Sequence, residues 1–251
     1  MKRRPIIAGN WKMHKNVLEA CQLASEIIKE CEGVNDRDVI LAPPFTALGE
    51  VTYMVRESSV MIAAQNVCWG EQGAYTGEIS PAMLKDIGVA AAIIGHSERR
   101  QIFGEANDLI NKRVHGAISH GLMPILCVGE TLEERQQDKT FKVLEKQVRE
   151  GLTEVNAAKT KKLVIAYEPV WAIGTGKTAT TNEAQEVHAF IRKLLGDIYE
   201  KDIAGQVRIL YGGSVKPDNV DKLMAQLDID GALVGGAALE ARSFGRIIKF
   251  Q

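Results

Sequence analysis

The chain has 251 residues, with 31 Lys plus Arg against 32 Asp plus Glu and a formal net charge of −1. That balance leaves no basic face for nucleic acid or an anionic membrane, so neither is expected as a partner. With 45% hydrophobic and 25% charged residues the composition is globular, not disordered or fibrous, and the length suffices for a sizeable core.

The N-terminal MKRRPIIAGNWK begins with a basic stretch, but Asn10 and Lys12 break its apolar run too early for a signal peptide. No apolar run approaches the ~18 residues of a membrane helix; Gly88 to Gly95 is about the longest. A cytoplasmic protein is expected. Its cysteines, Cys21, Cys31, Cys68 and Cys127, have neither C-x-x-C nor zinc spacing and read as reduced, buried or semi-buried thiols.

Short apolar runs and helical patterns alternate along the chain. The runs are Pro5–Gly9, Val39–Ala42, Val60–Ala64, Ala91–Gly95, Pro124–Val128, Leu163–Tyr167, Val207–Tyr211 and Gly231–Val234. Each is nearly continuous in apolar residues, as in parallel strands buried on both faces. Between the first two, Val17, Cys21, Ala24, Ile28 and Cys31 form a stripe at helical spacing. Gln65 to Ile79 has neither period, and a loop of that length is expected to be functional or an interaction element. Phe141, Leu144, Val148 and Leu152 mark another helix. The next runs from a capping box at Thr180-x-x-Glu183 through Val187, Phe190, Ile191, Leu194 and Leu195 to a C-cap at Gly196. Pro217 suits the first position of a short helix after the seventh run.

Eight such units in 251 residues take about 31 residues each, the size of a βα repeat. An open doubly wound sheet is compatible with the pattern, but eight consecutive units favour one α/β domain, a closed (β/α)8 TIM barrel over residues 1–251.

In such a fold the ligand site lies at the carboxyl ends of the strands. Polar residues just after the apolar runs are Asn10 and Lys12, His96 and Glu98, and Glu168. The turns Tyr211–Ser214 and Val234–Ala237 are glycine-rich, which lets backbone N–H groups approach a phosphate, although glycine also serves any tight turn. Glu168 is either a solvated loop glutamate or a general base. His96 follows a buried run, and a short helix opening at Ser97–Arg100 would keep its ring neutral. His14, His115, His120 and His188 look like residues of helix or loop faces. Lys12 is an ordinary surface lysine unless a phosphate site lies nearby, where it becomes a fixed cation.

Two nucleotide motifs fail on spacing. Gly174 to Thr178 contains G-K-T, but a Walker A motif needs glycine where Trp171 stands. The G-x-G-x-x-A from Gly174 to Ala179 starts too far beyond its strand for a dinucleotide fingerprint. Pro169 to Lys177, apolar with glycines near one end, suits a lid. With no H-x-H or HExxH and dispersed histidines, no metal is expected.

Taken together, GNWKM, GAYTGEIS, GHSERR, CVGE, AYEPVWAIGTGKTAT, YGGSVKPDN and LVGGA occur in the order seen in triosephosphate isomerases, and the chain resembles that family nearly end to end. It departs from the usual pattern at His14, at Cys68-Trp69 and in EARSF near the C-terminus. The resemblance implies interconversion of dihydroxyacetone phosphate and D-glyceraldehyde 3-phosphate through an enediolate, without metal or organic cofactor. It implies Glu168 as the base, neutral His96 as the electrophile, and Lys12 with Asn10 beside the phosphate and enediolate. It further implies Glu98 as a support of the site, and Gly174, Ser214, Gly235 and Gly236 as phosphate ligands through their N–H groups. The loop around Tyr75 and Thr76 is similar to one that docks into a partner subunit, implying a homodimer. The pairing of a glutamate base with a neutral histidine in this family is a known worked case of tuned acidity. The competing readings are a Schiff-base aldolase with Lys12 as nucleophile, which needs a desolvated lysine, and a phosphate-binding barrel without catalysis.

Overall fold

The computed structural model describes residues 3–172 and 179–251. From the N-terminus, β1 (Ile6–Asn10), α1 (Val17–Glu30), β2 (Asp38–Ala42), α2 (Phe45–Val55) and β3 (Val60–Ala64) come first. Then follow α3 (Pro81–Asp86), β4 (Ala91–Ile94), α4 (Ser97–Gln101), α5 (Asn107–Ser119) and β5 (Met123–Val128). Next are α6 (Leu132–Gln136), α7 (Thr140–Gly151), β6 (Val164–Tyr167), α8 (Thr181–Tyr199) and α9 (Lys201–Ala204). The chain ends with β7 (Arg208–Tyr211), α10 (Val220–Met224), β8 (Gly231–Val234) and α11 (Ala241–Ile248). Among the described residues, eight parallel strands pair in chain order and β8 returns to β1, closing the barrel.

The strands divide the core in two because successive side chains point to opposite faces. Ile6, Ala8, Ile40, Ala63, Ile93, Ile125, Cys127, Val164, Ala166, Leu210 and Leu233 fill the barrel interior. Their neighbours, such as Ile7, Leu41, Ile62, Ala92, Leu126, Ile165 and Ile209, pack outward against the helices. Apolar residues at both parities explain why the strand runs are continuous. Asn10 follows Ala8, and Glu168 follows Ala166, at the next inward parity on β1 and just past β6. Both are delivered to the barrel mouth by the same alternation that builds the core.

Four local expectations are corrected. On α1 the buried stripe is Ala20, Leu23, Ala24 and Ile27, facing α2 and α11, while Val17 is exposed. Two stripes one position apart share the same spacing, and packing selects the more apolar one. Gly196 does not end α8, which continues to Tyr199 because the buried Tyr199 ring extends its apolar face. Pro217 lies ahead of α10, not at its first position. There Asn219 accepts from Lys216 N–H at 2.8 Å and donates to Ser214 O at 3.0 Å, closing a turn in place of a helical start. His188 is wholly buried, with its ring 5.7 Å from that of Tyr167 and 6.1 Å from that of Tyr211.

That burial pushes the His188 imidazole from 6.5 down to about 4. Between those values the unfolded chain binds a proton that the folded chain refuses. Stability is therefore intact above pH 6.5 and is lost as the pH falls toward 4, by about 3 kcal/mol from this site. Urea unfolding at pH 7 and pH 4.5 is expected to show a smaller difference in His188→Phe than in the parent. Equal differences would remove His188 as the cause.

The segment Gln65–Ile79 forms neither helix nor strand, as expected, and Cys68 N–H to Ile79 O at 2.8 Å closes its base. The four cysteines are free, three of them buried. Among the described residues no helix is long and apolar enough to cross a membrane.

Candidate active site

At the end of β1 the chain bends sharply. Lys12 adopts φ +52°, unusual for a residue with a side chain. Asn10 Oδ1 accepts the Lys12 N–H at 3.0 Å, and Gln65 Nε2 donates to Lys12 O at 2.7 Å and to Ala42 O at 2.9 Å. These bonds hold the strained turn that aims Lys12 across the barrel mouth. Its ammonium reaches Glu98 Oε1 at 2.7 Å.

β4 ends in a turn at Gly95 with φ +70°, conformational space that glycine enters without strain. His96 then caps α4, with Nδ1 accepting the Glu98 N–H at 3.2 Å. Its Nε2 faces Glu168 Oε1 at 2.9 Å. Glu168 also accepts from Ser97 N–H at 3.0 Å and from Ser97 Oγ at 3.3 Å. Both side chains are buried.

Opposing influences act on the His96 ring. The helix N-terminus does place an N–H on His96 Nδ1, which opposes a second proton on the ring. Burial also lowers the imidazole pKa, yet the carboxylates of Glu168 and Glu98 outweigh it, and the net shift is upward. For Glu168, burial alone raises the pKa, but His96, the Ser97 N–H and Lys12 more than offset it and hold the carboxyl below its usual range. Glu168 is therefore ionised at neutral pH.

A cavity of about 390 Å³ opens between these groups and the two glycine turns. Asn10, Lys12, His96 and Glu168 line it together with Ser214, Gly235 and Gly236. After β8, Gly236–Leu239 forms one 3-10 turn whose first N–H groups have no partner within the helix. Lys216, at the mouth, adds a second cation. Ala172 closes part of the wall. Gly174 and most of the proposed lid lie outside the described residues. Glu98 lines no part of this cavity's wall and acts through its contacts with Lys12 and, at 3.4 Å, His96 Nδ1.

Three residues were not singled out as site residues from the sequence. Ser97 is the N–H and hydroxyl partner of Glu168, and its place directly after His96 was the available signal. Gln65 follows β3 as Asn10 and Glu168 lie at their strand ends, but in sequence it belongs to the patternless stretch Gln65–Ile79. Glu130, in CVGE, is wholly buried and accepts from Tyr167 Oη at 3.2 Å and from Trp171 Nε1 at 2.9 Å, with Arg135 at 3.3 Å. It anchors the start of the segment that follows Glu168. Among the described residues no group of three His, Cys, Asp or Glu side chains is arranged to hold a metal ion.

Known proteins resemble this chain along nearly its whole length. The profile of the triosephosphate isomerase family matches residues 5–251. The triosephosphate isomerase of Syntrophotalea carbinolica is 57% identical over 249 residues, 99% of each chain. Those of Geobacter metallireducens and Thermoanaerobacter pseudethanolicus are 53% and 52% identical, each over 99% of this chain. The relatives are covered over 99% and 100% of their own lengths.

Proposed function

From the premise that the chain belongs to the triosephosphate isomerase family, we propose that Glu168 is the base that carries a proton between the two carbons of the triose phosphate. The chain is an isomerase of dihydroxyacetone phosphate and D-glyceraldehyde 3-phosphate; the residue roles are the proposal. The observation that carries them is the 2.9 Å pairing of Glu168 with His96 Nε2 at the wall of a cavity that Lys12 and two glycine turns complete.

The phosphate dianion sits at the N–H groups of Ser214, Gly235 and Gly236, with Gly174, outside the described residues, assigned as a further N–H ligand. Lys12, with Asn10 holding its backbone, supplies a positive charge to the phosphate and to the developing enediolate oxygens. The substrate carbonyl takes the place of Glu168 at His96 Nε2–H. Glu168 leaves His96 and Ser97, and its carboxylate faces the carbon whose proton it removes. Once the carboxylate has left, the upward pressure on the His96 pKa falls, while the Glu98 N–H remains on Nδ1. The ring is then a neutral N–H donor to the oxyanion, and Glu98 keeps Lys12 in place. These proton transfers call on no metal or organic cofactor.

The Schiff-base reading is not favoured. The Lys12 ammonium is paired with Glu98, whereas a Schiff base needs an unpaired amine in a desolvated pocket. A coupled assay starting from each triose phosphate, run with and without borohydride, tests the proposal. Turnover in both directions with no trapped adduct on Lys12 is expected. A covalent adduct would overturn it.

The whole chain, 1–251, is read as one barrel domain acting in the cytoplasm as a homodimer, with no nucleic-acid or membrane partner. Support for the dimer comes from apolar side chains left exposed on successive loops and helices: Met13, Leu18, Phe45, Met83, Ile102 and Phe103. In the loop Gln65–Ile79 the Tyr75 ring is set edge-on against Trp69. Arg113 braces its base through Val67 O at 2.6 Å and Glu78 at 2.9 Å. Trimming the tip at Tyr75–Thr76 is expected to give a folded monomer of low activity. Sedimentation showing an intact, active dimer would remove the docking role.

A further inference from the structure

At the top of the barrel β4 and β5 part company. Odd-numbered residues of β5 turn their N–H and C=O groups toward β4, as Met123 N–H does to Ala90 O at 2.9 Å. β4 stops at Ile94 and the chain turns away at Gly95. The last pair of the ladder is Ile94 with Leu126, so the C=O of Cys127 and both backbone groups of Gly129 lie beyond β4, and buried backbone groups need partners. Two side chains take over. Arg100 donates through Nη2 to Cys127 O at 3.0 Å and through Nε to Gly95 O at 2.8 Å. Gln147, on α7, satisfies both backbone groups of Gly129: Oε1 accepts its N–H at 2.8 Å and Nε2 donates to its O at 3.0 Å.

Gly129 bears directly on the proposed base. A Cβ there would lie 1.8 Å from Glu168 O and 2.8 Å from Glu168 C, so the two backbones are in contact. Glu168 N–H donates to Val128 O at 2.8 Å and Val170 N–H to Glu130 O at 3.2 Å. The backbone of Glu168 thus rests on residues 128–130. On the β4 side these residues face not a packed wall but a second cavity, of about 510 Å³, lined by Ser97, Arg100, Gly129, Gln147 and Glu168 among others.

We propose that Gln147 is a positioning residue for the proton transfer: its two hydrogen bonds to Gly129 fix the end of β5 against which the backbone of Glu168 rests. The proposal depends on Glu168 being the base. Gln147 lines no part of the substrate cavity, so its influence falls on kcat and not on KM.

Two variants test this. Gln147→Met keeps the length and loses both bonds. Gln147→Glu keeps the shape; protonated, it serves both Gly129 groups, but ionised it has no proton to donate and sets a charge against Gly129 O. For Gln147→Met, kcat is expected to fall about 10- to 100-fold at every pH, the cost of a small misplacement of a reacting group. KM and the affinity for a phosphate-bearing inhibitor should be unchanged. For Gln147→Glu, the ratio of its kcat to the parent's should be near one at low pH and fall as the pH rises through the new carboxyl group. Parental kcat in either variant across the pH range, a pH-independent ratio for Gln147→Glu, or a loss confined to KM would overturn the role. If Gln147→Met does not fold, the pH dependence of Gln147→Glu decides alone. Glu168→Gln, measured alongside, separates the two claims. Parental turnover in Glu168→Gln overturns the base and this role with it; a slow Glu168→Gln beside fully active Gln147 variants overturns only the role of Gln147.

Discussion

Replacing Glu168 with glutamine is expected to lower kcat by at least about 10²–10⁴-fold, the usual contribution of a general base. Glutamine keeps the shape and can still accept the Ser97 N–H, which bonds the carboxylate at 3.0 Å in the parent. What it loses is the site for the transferred proton. Binding of a phosphate-bearing inhibitor should survive, because the proposed phosphate cradle is formed by Ser214, Gly235 and Gly236 and not by the Glu168 carboxylate. The pH dependence follows from the sign of the shift. The Glu168 pKa is held below the ordinary glutamate range, so the ionised base is present throughout neutral pH and is lost only as the pH falls through that lowered value. A Glu168→Gln variant with parental turnover would remove the assigned base.

Lys12→Met is expected to cost about 10²–10³-fold in kcat/KM, the scale for removing one preorganised group facing a developing charge. Its signature differs from that of Glu168→Gln. The Lys12 charge serves both the phosphate and the enediolate, so inhibitor affinity and kcat should fall together. The fold should survive, since the turn is held by backbone and side-chain bonds from Asn10 and Gln65 that do not involve the ammonium. Freed from its 2.7 Å contact with Lys12, Glu98 leaves an uncompensated negative charge near His96, adding to the loss. Unchanged inhibitor binding in Lys12→Met would confine the lysine to the chemical step.

The barrel was legible because its strands are buried on both faces, so the apolar runs are continuous and their limits fall within a residue or so of the observed strands. The strand-end rule was enough to find Asn10, Lys12, His96 and Glu168, because parity past Ala8 and Ala166 carries Asn10 and Glu168 to the mouth. What pattern could not show was pairing across the barrel. Ser97 supports Glu168 from 71 positions away and Gln65 supports Lys12 from 53. No period links such residues. The buried His188 looked like a surface residue because α8 is flanked by apolar positions on both sides of it, and only packing against Tyr167 and Tyr211 shows which way it faces. The end of α8 and the turn before α10 depended likewise on the burial of Tyr199 and on the side chain of Asn219. The upward shift at His96 arises from a carboxylate 72 positions later in the chain, whereas the N–H that opposes it is two positions away and was visible in the sequence.

The claim that Glu168 moves the proton is tested most directly by hydrogen exchange at carbon. Dihydroxyacetone phosphate incubated with the enzyme in deuterium oxide should acquire solvent deuterium at the carbon that Glu168 deprotonates. The Glu168→Gln variant should lose this exchange in step with its loss of isomerisation, while still binding the phosphate-bearing inhibitor. Exchange at the parental rate in Glu168→Gln would contradict proton transfer through this carboxylate.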